Sequence, residues 1–247
     1  MTATLTLSCP EGMVLATDRR ITSVDQYGNV LAFEDNVDKI FKFAELPIGI
    51  SYWGLAGFGS NTMLQTLIEF EKQVKSSDDI NIISEKLKKY FESFTPAIET
   101  SMGLHVAGYC CGKEGSYPQI RHVFHISRRQ KPGEFTNENS NQEYHSFKGK
   151  RIPYYYDPFV ALFNGDNAIA NALFNFLPDI YPSRRRQIIL DLLSLDECIR
   201  FAKLVIETSG DVLDFLFTLD QKKAIPAVHG LMIAKITEKN GFEWVNP

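Results

Sequence analysis

Residues 1–20 read "MTATLTLSCPEGMVLATDRR", and the interpretation of this stretch decides the fold. Thr4, Leu5, Thr6, Leu7 and Ser8 alternate polar and apolar, the period of a strand. "CPEG" then supplies a turn and "MVLATD" (13–18) returns, so the chain opens with a β-hairpin. Threonine is a good strand former, and Thr2 needs no further role on that ground. Removal of Met1 would give it a second reading, because a hydroxyl and a free α-amine would then share one residue. Such an amine has an unperturbed pKa near 8 and can act as general base at neutral pH without a histidine. The nucleophile would need a cation to favour its developing negative charge, and an acid to hold that cation. Asp18 and Arg20 close the hairpin, and Lys39 opens the next strand, "KIFKF" (39–43). Asp18 beside Lys39 would keep the ammonium charged and oriented. Each charge taken singly also fits a surface ion pair of little energetic consequence.

Working outward, residues 19–37 are polar and read as a loop, and "IGISYWG" (48–54) reads as a fourth strand. "SNTMLQTLIEFEKQVK" (60–75), with Ser60 as candidate N-cap, and "INIISEKLKKYFESF" (80–94) carry the helical period. "LHVAGYCC" (104–111) and "QIRHVFHIS" (119–127) read as paired strands. Residues 128–158 are polar, end in "PYYYDP", and read as a surface insertion whose Tyr154, Tyr155 and Tyr156 fit either a subunit interface or a core edge. "DNAIANALFNFL" (166–177) and "LDECIRFAKLVIETS" (195–209) are expected to be helices. "HGLMIAKIT" (229–237) and "GFEWV" (241–245) form a closing hairpin around Asn240-Gly241. No linker divides this order, so one domain over 1–247 is expected, with helices outside sheets that share a core.

Composition narrows the function classes. The 247 residues are 44% apolar and 23% charged, which is neither disordered nor fibrous. A formal charge of −4 gives no electrostatic reason to expect nucleic acid, and Arg184, Arg185 and Arg186 read as a solvated helix face. No run approaches the ~18 apolar residues of a membrane span. Cys9, Cys110, Cys111 and Cys198 lack zinc spacing, so neither a metal nor another cofactor is expected. The absence of an export signal leads to an expectation of reduced thiols and a cytoplasmic protein.

The N-terminal stretch resembles proteasome β-type subunits and the related bacterial peptidase subunit that pairs with an ATP-driven unfoldase. Those chains run approximately T-x-T, "DGVVLAADRR", "KIF.I", then an apolar strand ending in Gly. This chain has "TAT" at 2–4, "EGMVLATDRR" at 11–20, "DKIFKF" at 38–43 and "IGISYWGLAG" at 48–57. "VAGYCCG" and the 195–209 segment extend the resemblance more weakly. The resemblance implies an α+β, four-layer αββα sandwich of the N-terminal nucleophile hydrolase type. It also implies Thr2 as nucleophile, Asp18 as acid, Arg20 as the cation supporting Asp18, Lys39 as the catalytic ammonium and the Gly54 N–H as oxyanion donor. The implied activity is threonine-type hydrolysis of peptide or unfolded protein in a homo-oligomeric ring, with an ATPase as a partner the resemblance raises.

Two stretches depart from the family. "FNGDNAIA" puts Gly165 or Asp166 where a Ser is usual. "AIPAVHG" puts Ile225 at an Asp position and Val228, His229 and Gly230 in place of Ser-Gly-Gly. Asn164, Asp166 and His229 are candidate substitutes around the amine. These departures keep two other readings open: a catalytically silent scaffold subunit, and an amidase or acylase of the same nucleophile class.

Overall fold

The structure is a computed structural model, and it describes residues 2–25, 30–58, 60–94, 100–112, 115–139, 160–165, 172, 193–219 and 228–246. Strands β1 (Ala3–Cys9) and β2 (Gly12–Thr17) form the expected hairpin, with Leu5 opposite Ala16 and Leu7 opposite Val14. They lie inside a five-stranded antiparallel sheet ordered β12-β1-β2-β13-β14, where β12 is Val160–Gly165, β13 is Met232–Thr237 and β14 is Gly241–Asn246. A second sheet runs β11-β10-β9-β6-β5, made of β5 (Ile40–Lys42), β6 (Gly49–Trp53), β9 (Met102–Gly112), β10 (Gly115–His125) and β11 (Thr136–Asn139).

The period-two pattern of β1 assigns its two faces. Ala3, Leu5, Leu7 and Cys9 pack with Val14 and Ala16 under helix α3 (Leu195–Leu219), which contributes Cys198, Ala202, Val205 and Ile206. Thr4, Thr6 and Ser8 point into the space between the sheets and are buried as well. Their methyl groups and short stems tolerate this, provided the hydroxyls find partners. Thr4 Oγ1 donates to the Tyr52 carbonyl at 3.2 Å, and Thr6 Oγ1 lies 3.0 Å from His105 Nδ1.

Between the sheets Met13, Leu15, Met232, Ala234 and Ile236 meet Ile40, Ala107 and Ile120. On the far side of the second sheet, helices α1 (Met63–Glu71) and α2 (Ile80–Glu92) bury Met63, Leu67, Phe70, Ile83, Leu87 and Phe91 against Phe41, Ile50, Tyr52, Leu104 and Val106. The layers are therefore helix, sheet, sheet, helices: the αββα sandwich.

Four local expectations change. Residues 19–37, read as a loop, contain a small sheet of β3 (Ile21–Val24) and β4 (Val30–Glu34). Most of β4 is exposed, so no apolar alternation marks it. The α1 cap is Thr62, not Ser60, because Asn61–Thr62 (β8) pairs with Gly57–Phe58 (β7) first. A capping box then forms, with the Thr62 hydroxyl accepting from Gln65 N–H and the Gln65 side chain accepting from Thr62 N–H. Helix α3 runs past Ser209 because Gly210 stays helical there, and its missing side chain leaves room for the Val228 carbonyl. The polar 128–158 segment begins with β11, an edge strand on β10. Tyr154–Tyr156, the Arg184–Arg186 triplet and, apart from Ala172, which is helical, the expected 166–177 helix lie outside the described residues.

Candidate active site

Asp18 follows the last residue of β2, and Lys39 precedes the first residue of β5, so the mouth of the inter-sheet space receives one charge from each sheet. Both are buried, Asp18 at 0% and Lys39 at 1% exposure. An ammonium has three protons to place. Lys39 Nζ has three kinds of acceptor: Thr2 Oγ1 at 3.1 Å, the Asp18 carboxylate at 2.9 and 3.0 Å, and the Arg20 carbonyl. Asp18 Oδ1 also accepts from Ala3 N–H and Oδ2 from Arg20 N–H, each at 2.9 Å. These partners of its oxygens are all donors, which is the environment of an ionised carboxylate. Burial raises the Asp18 carboxyl, and the Lys39 charge with the two N–H groups draws it back. Burial lowers the Lys39 ammonium below the ordinary lysine value, against the pull of Asp18. Two desolvated, mutually satisfied charges thus stand against the hydroxyl of Thr2.

Of the residues singled out in the sequence, Thr2, Asp18 and Lys39 converge directly. Arg20 arrives by its backbone. Its guanidinium turns away to Asp35, with Nε on Oδ1 at 2.6 Å and a terminal nitrogen on Oδ2 at 3.0 Å, and it lies 4.7 Å over the Phe33 ring. Asp35, foremost, raises the Arg20 pKa, while Asp18 acts on Arg20 only as a more remote charge. The support that Asp18 receives from Arg20 is therefore a peptide N–H. Nothing in "ATDRR" marks this; the signal is Asp35, held in a loop that turns at Asn36 with φ of 66°.

Gly54 follows the last residue of β6 and lies in the left-handed region, φ 89°. Thr4 touches the Tyr52 carbonyl, so Thr2 and Gly54 each lie two residues from that crossing. A Cβ on Gly54 would fall 2.4 Å from the Ser101 carbonyl oxygen and 2.7 Å from Met102 Cα. Gly54→Ala is expected to cost at least ~2 kcal/mol in urea denaturation, since the clash is with backbone and the dihedral is strained as well.

Among the described residues, no hydrogen bond joins the candidate substitutes Asn164 and His229 to Thr2. Asn164 lies opposite Thr4 in the β1–β12 register, and its carboxamide influences His105. The His229 carbonyl accepts from Arg19 N–H at 2.7 Å. Val228 packs into the α3 core, and Gly230 turns at φ 69° against Arg19. Asp166 and Ile225 lie outside the described residues. Sequence reasoning also passes over Tyr52, which donates its hydroxyl to the Asp38 carbonyl at 2.8 Å. Among the described residues no group of three or more His, Cys, Asp or Glu side chains is arranged to hold a metal ion, and no helix is long and apolar enough to cross a membrane.

No protein-family model matches the chain, and no curated protein matches it. Among solved structures, a mutant of Anbu from Hyphomicrobium sp. strain MC1 is similar over 100% of this chain and 86% of that one. The TM-score is 0.57 and the sequence identity 9%. At that identity the likeness is one of fold alone, and it agrees with the α+β, αββα layer order above.

Proposed function

We propose that the chain is a threonine-type peptidase in which Thr2, exposed by removal of Met1, attacks the peptide carbonyl. The observation that carries this is the Lys39 ammonium, 3.1 Å from Thr2 Oγ1 and held on its other side by buried Asp18. A buried ion pair is a weak source of stability, and it is costly unless each charge is satisfied. Its position against a hydroxyl at the N-terminal end of β1 is accounted for by chemistry. The α-amine of Thr2 takes the Oγ1 proton while Lys39 favours the developing alkoxide. Oγ1 bonds to the carbonyl carbon, and the oxyanion is received by the Gly54 N–H. The amine returns the proton to the leaving nitrogen as the C–N bond breaks. Water, deprotonated by the same amine, then cleaves the ester and frees Thr2. The sequence resemblance extends this reading to an unfolded-protein substrate and a homo-oligomeric ring.

The test is intact mass before and after incubation with an electrophile that adds to N-terminal threonine, alongside hydrolysis of a peptide library. The expected result is a chain lacking Met1 that gains one inhibitor and cleaves peptide, with Thr2→Ala doing neither. A chain that keeps Met1 and takes up no inhibitor would instead be the silent scaffold subunit that the altered 164–166 and 225–230 stretches leave open. Cleavage of small amides but not peptides would move the reaction to the amidase reading.

A further inference from the structure

We propose that Tyr52 is a positioning residue that sets the Lys39 ammonium against Thr2, by gripping the two consecutive carbonyls of Asp38 and Lys39. The inference rests on the peptidase reading above and goes beyond it by adding a residue that acts through the backbone of Lys39 rather than through a bond to Thr2. The problem Tyr52 addresses is mechanical. A lysine head sits at the end of a flexible four-carbon stem, so the place of Nζ depends on how firmly the backbone beneath it is fixed. The Asp38–Lys39 segment lies just before β5, where the β5–β6 register runs out.

Tyr52 holds this segment from two directions. Its backbone N–H donates to the Lys39 carbonyl at 3.2 Å, and its hydroxyl donates to the Asp38 carbonyl at 2.8 Å. Its own carbonyl accepts from Thr4 Oγ1 at 3.2 Å, two residues along β1 from the nucleophile. One residue of the second sheet is thus bonded both to the strand that carries Thr2 and to the segment that carries Lys39. The contacts upstream do less. Arg19 holds the Asp38 carboxylate at 2.9 Å and the Val37 N–H through its carbonyl, also at 2.9 Å, but its side chain is part-exposed and bonds the Asp38 side chain rather than the backbone of Asp38 or Lys39. Tyr52 is 2% exposed and packs in the core beneath α1 and α2, so its ring cannot swing away. Burial, with the charges of Asp38, Asp18 and Glu34 behind it, raises the phenol above its ordinary pKa. The hydroxyl therefore remains a neutral donor across the range in which Lys39 loses its proton.

Tyr52→Phe removes the hydroxyl and keeps the ring. The expected result is a fall in kcat of about tenfold, short of the hundredfold that a full 1 Å misplacement can cost. The loss is expected in kcat rather than KM, because the hydroxyl removed is bonded to the backbone that carries Lys39. The alkaline limb of the kcat/KM profile should move to lower pH, because an ammonium less well matched to Asp18 but still buried gives up its proton more readily. Thr4→Val, which cuts the other tie, should lower kcat in the same sense. The adduct-forming electrophile counts competent sites, and thermal melting reports folding, so the rate is expressed per intact site. A Tyr52→Phe protein with wild-type kcat and an unmoved alkaline limb would overturn the inference while leaving the peptidase reading standing. So would a loss of rate that disappears once competent sites are counted, since that is only a stability effect. A wild-type chain that neither hydrolyses peptide nor takes up the electrophile would sink the peptidase reading and this inference with it.

Discussion

Replacing Lys39 with Met is expected to abolish peptide hydrolysis, by at least about a thousandfold in kcat/KM, and to destabilise the fold by ~3–5 kcal/mol. The two losses have different origins and can be separated. Activity is lost because, among the described residues, no other cation bonds to Thr2 Oγ1: the nearby Arg20 guanidinium is committed to Asp35. Stability is lost because Asp18, at 0% exposure, no longer has the ammonium that offsets the desolvation of its carboxylate. The two backbone N–H donors to Asp18 remain, but they are dipoles, and they offset only part of the desolvation of an ion. Lys39→Met combined with Asp18→Asn removes both charges. Most of the stability should then return, while hydrolysis stays absent. Urea denaturation and peptide hydrolysis on the wild type, both single variants and the pair complete the cycle. If hydrolysis came back along with stability, Lys39 would be a structural cation and the mechanism above would be wrong.

That cycle centres on residues visible in the sequence because of where they sit. Asp18 and Lys39 flank short apolar strands bounded by polar residues, so the strand ends locate them without any knowledge of the rest of the chain. The hairpin "MTATLTLSCPEGMVLATDRR" is legible for the same reason: its turn is local and its alternation is regular. Direction of side chains is less legible. Arg20 follows Asp18 by two residues, yet its guanidinium goes to Asp35, fifteen residues on, in a loop whose path depends on a left-handed Asn36. Strand β4 stays hidden because a mostly exposed strand has no apolar face to betray it. Thr6 looks like an ordinary strand threonine; its partner His105 lies 99 residues away on the other sheet. Helix α3 runs past Gly210 because a glycine marks a helix end only when the backbone needs φ > 0 there, and here it does not. For Arg20 and Thr6 the deciding contact is non-local.

The same non-local interior leads to an expected acid lability that begins well above the carboxylate range. His105 on β9 and His122 on β10 are cross-strand neighbours, with ring centroids 5.2 Å apart at 87°. Their surroundings are Thr6 and Ser51, the Trp53 and Phe124 rings, and Glu138 as the register partner of His122 on β11. The Nε2 atoms of both histidines are buried without a hydrogen-bond partner. Burial lowers His122 from 6.5 to about 3, and burial followed by the charge of His122 holds His105 well below its ordinary value. Between pH 6.5 and 3 the unfolded chain therefore binds protons that the folded chain does not, so stability falls as the pH is lowered through that window. His122 alone should account for about 5 kcal/mol by pH 3, at ~1.36 kcal/mol for each pH unit crossed. The loss from Asp35 and Asp78, whose partners Arg20 and Lys86 lower their pKa values, begins only below roughly pH 4. The raised Asp18 carboxyl is common to the wild type and a His122→Gln variant, so the difference between their urea midpoints at pH 7, 6 and 5 isolates His122. His122→Gln keeps a neutral polar head without a titrating nitrogen, and it should roughly halve the pH slope over that range. Equal slopes for the two proteins would show that His122 accepts its proton without opening the sandwich. The space between the sheets would then be wetter than its packing implies.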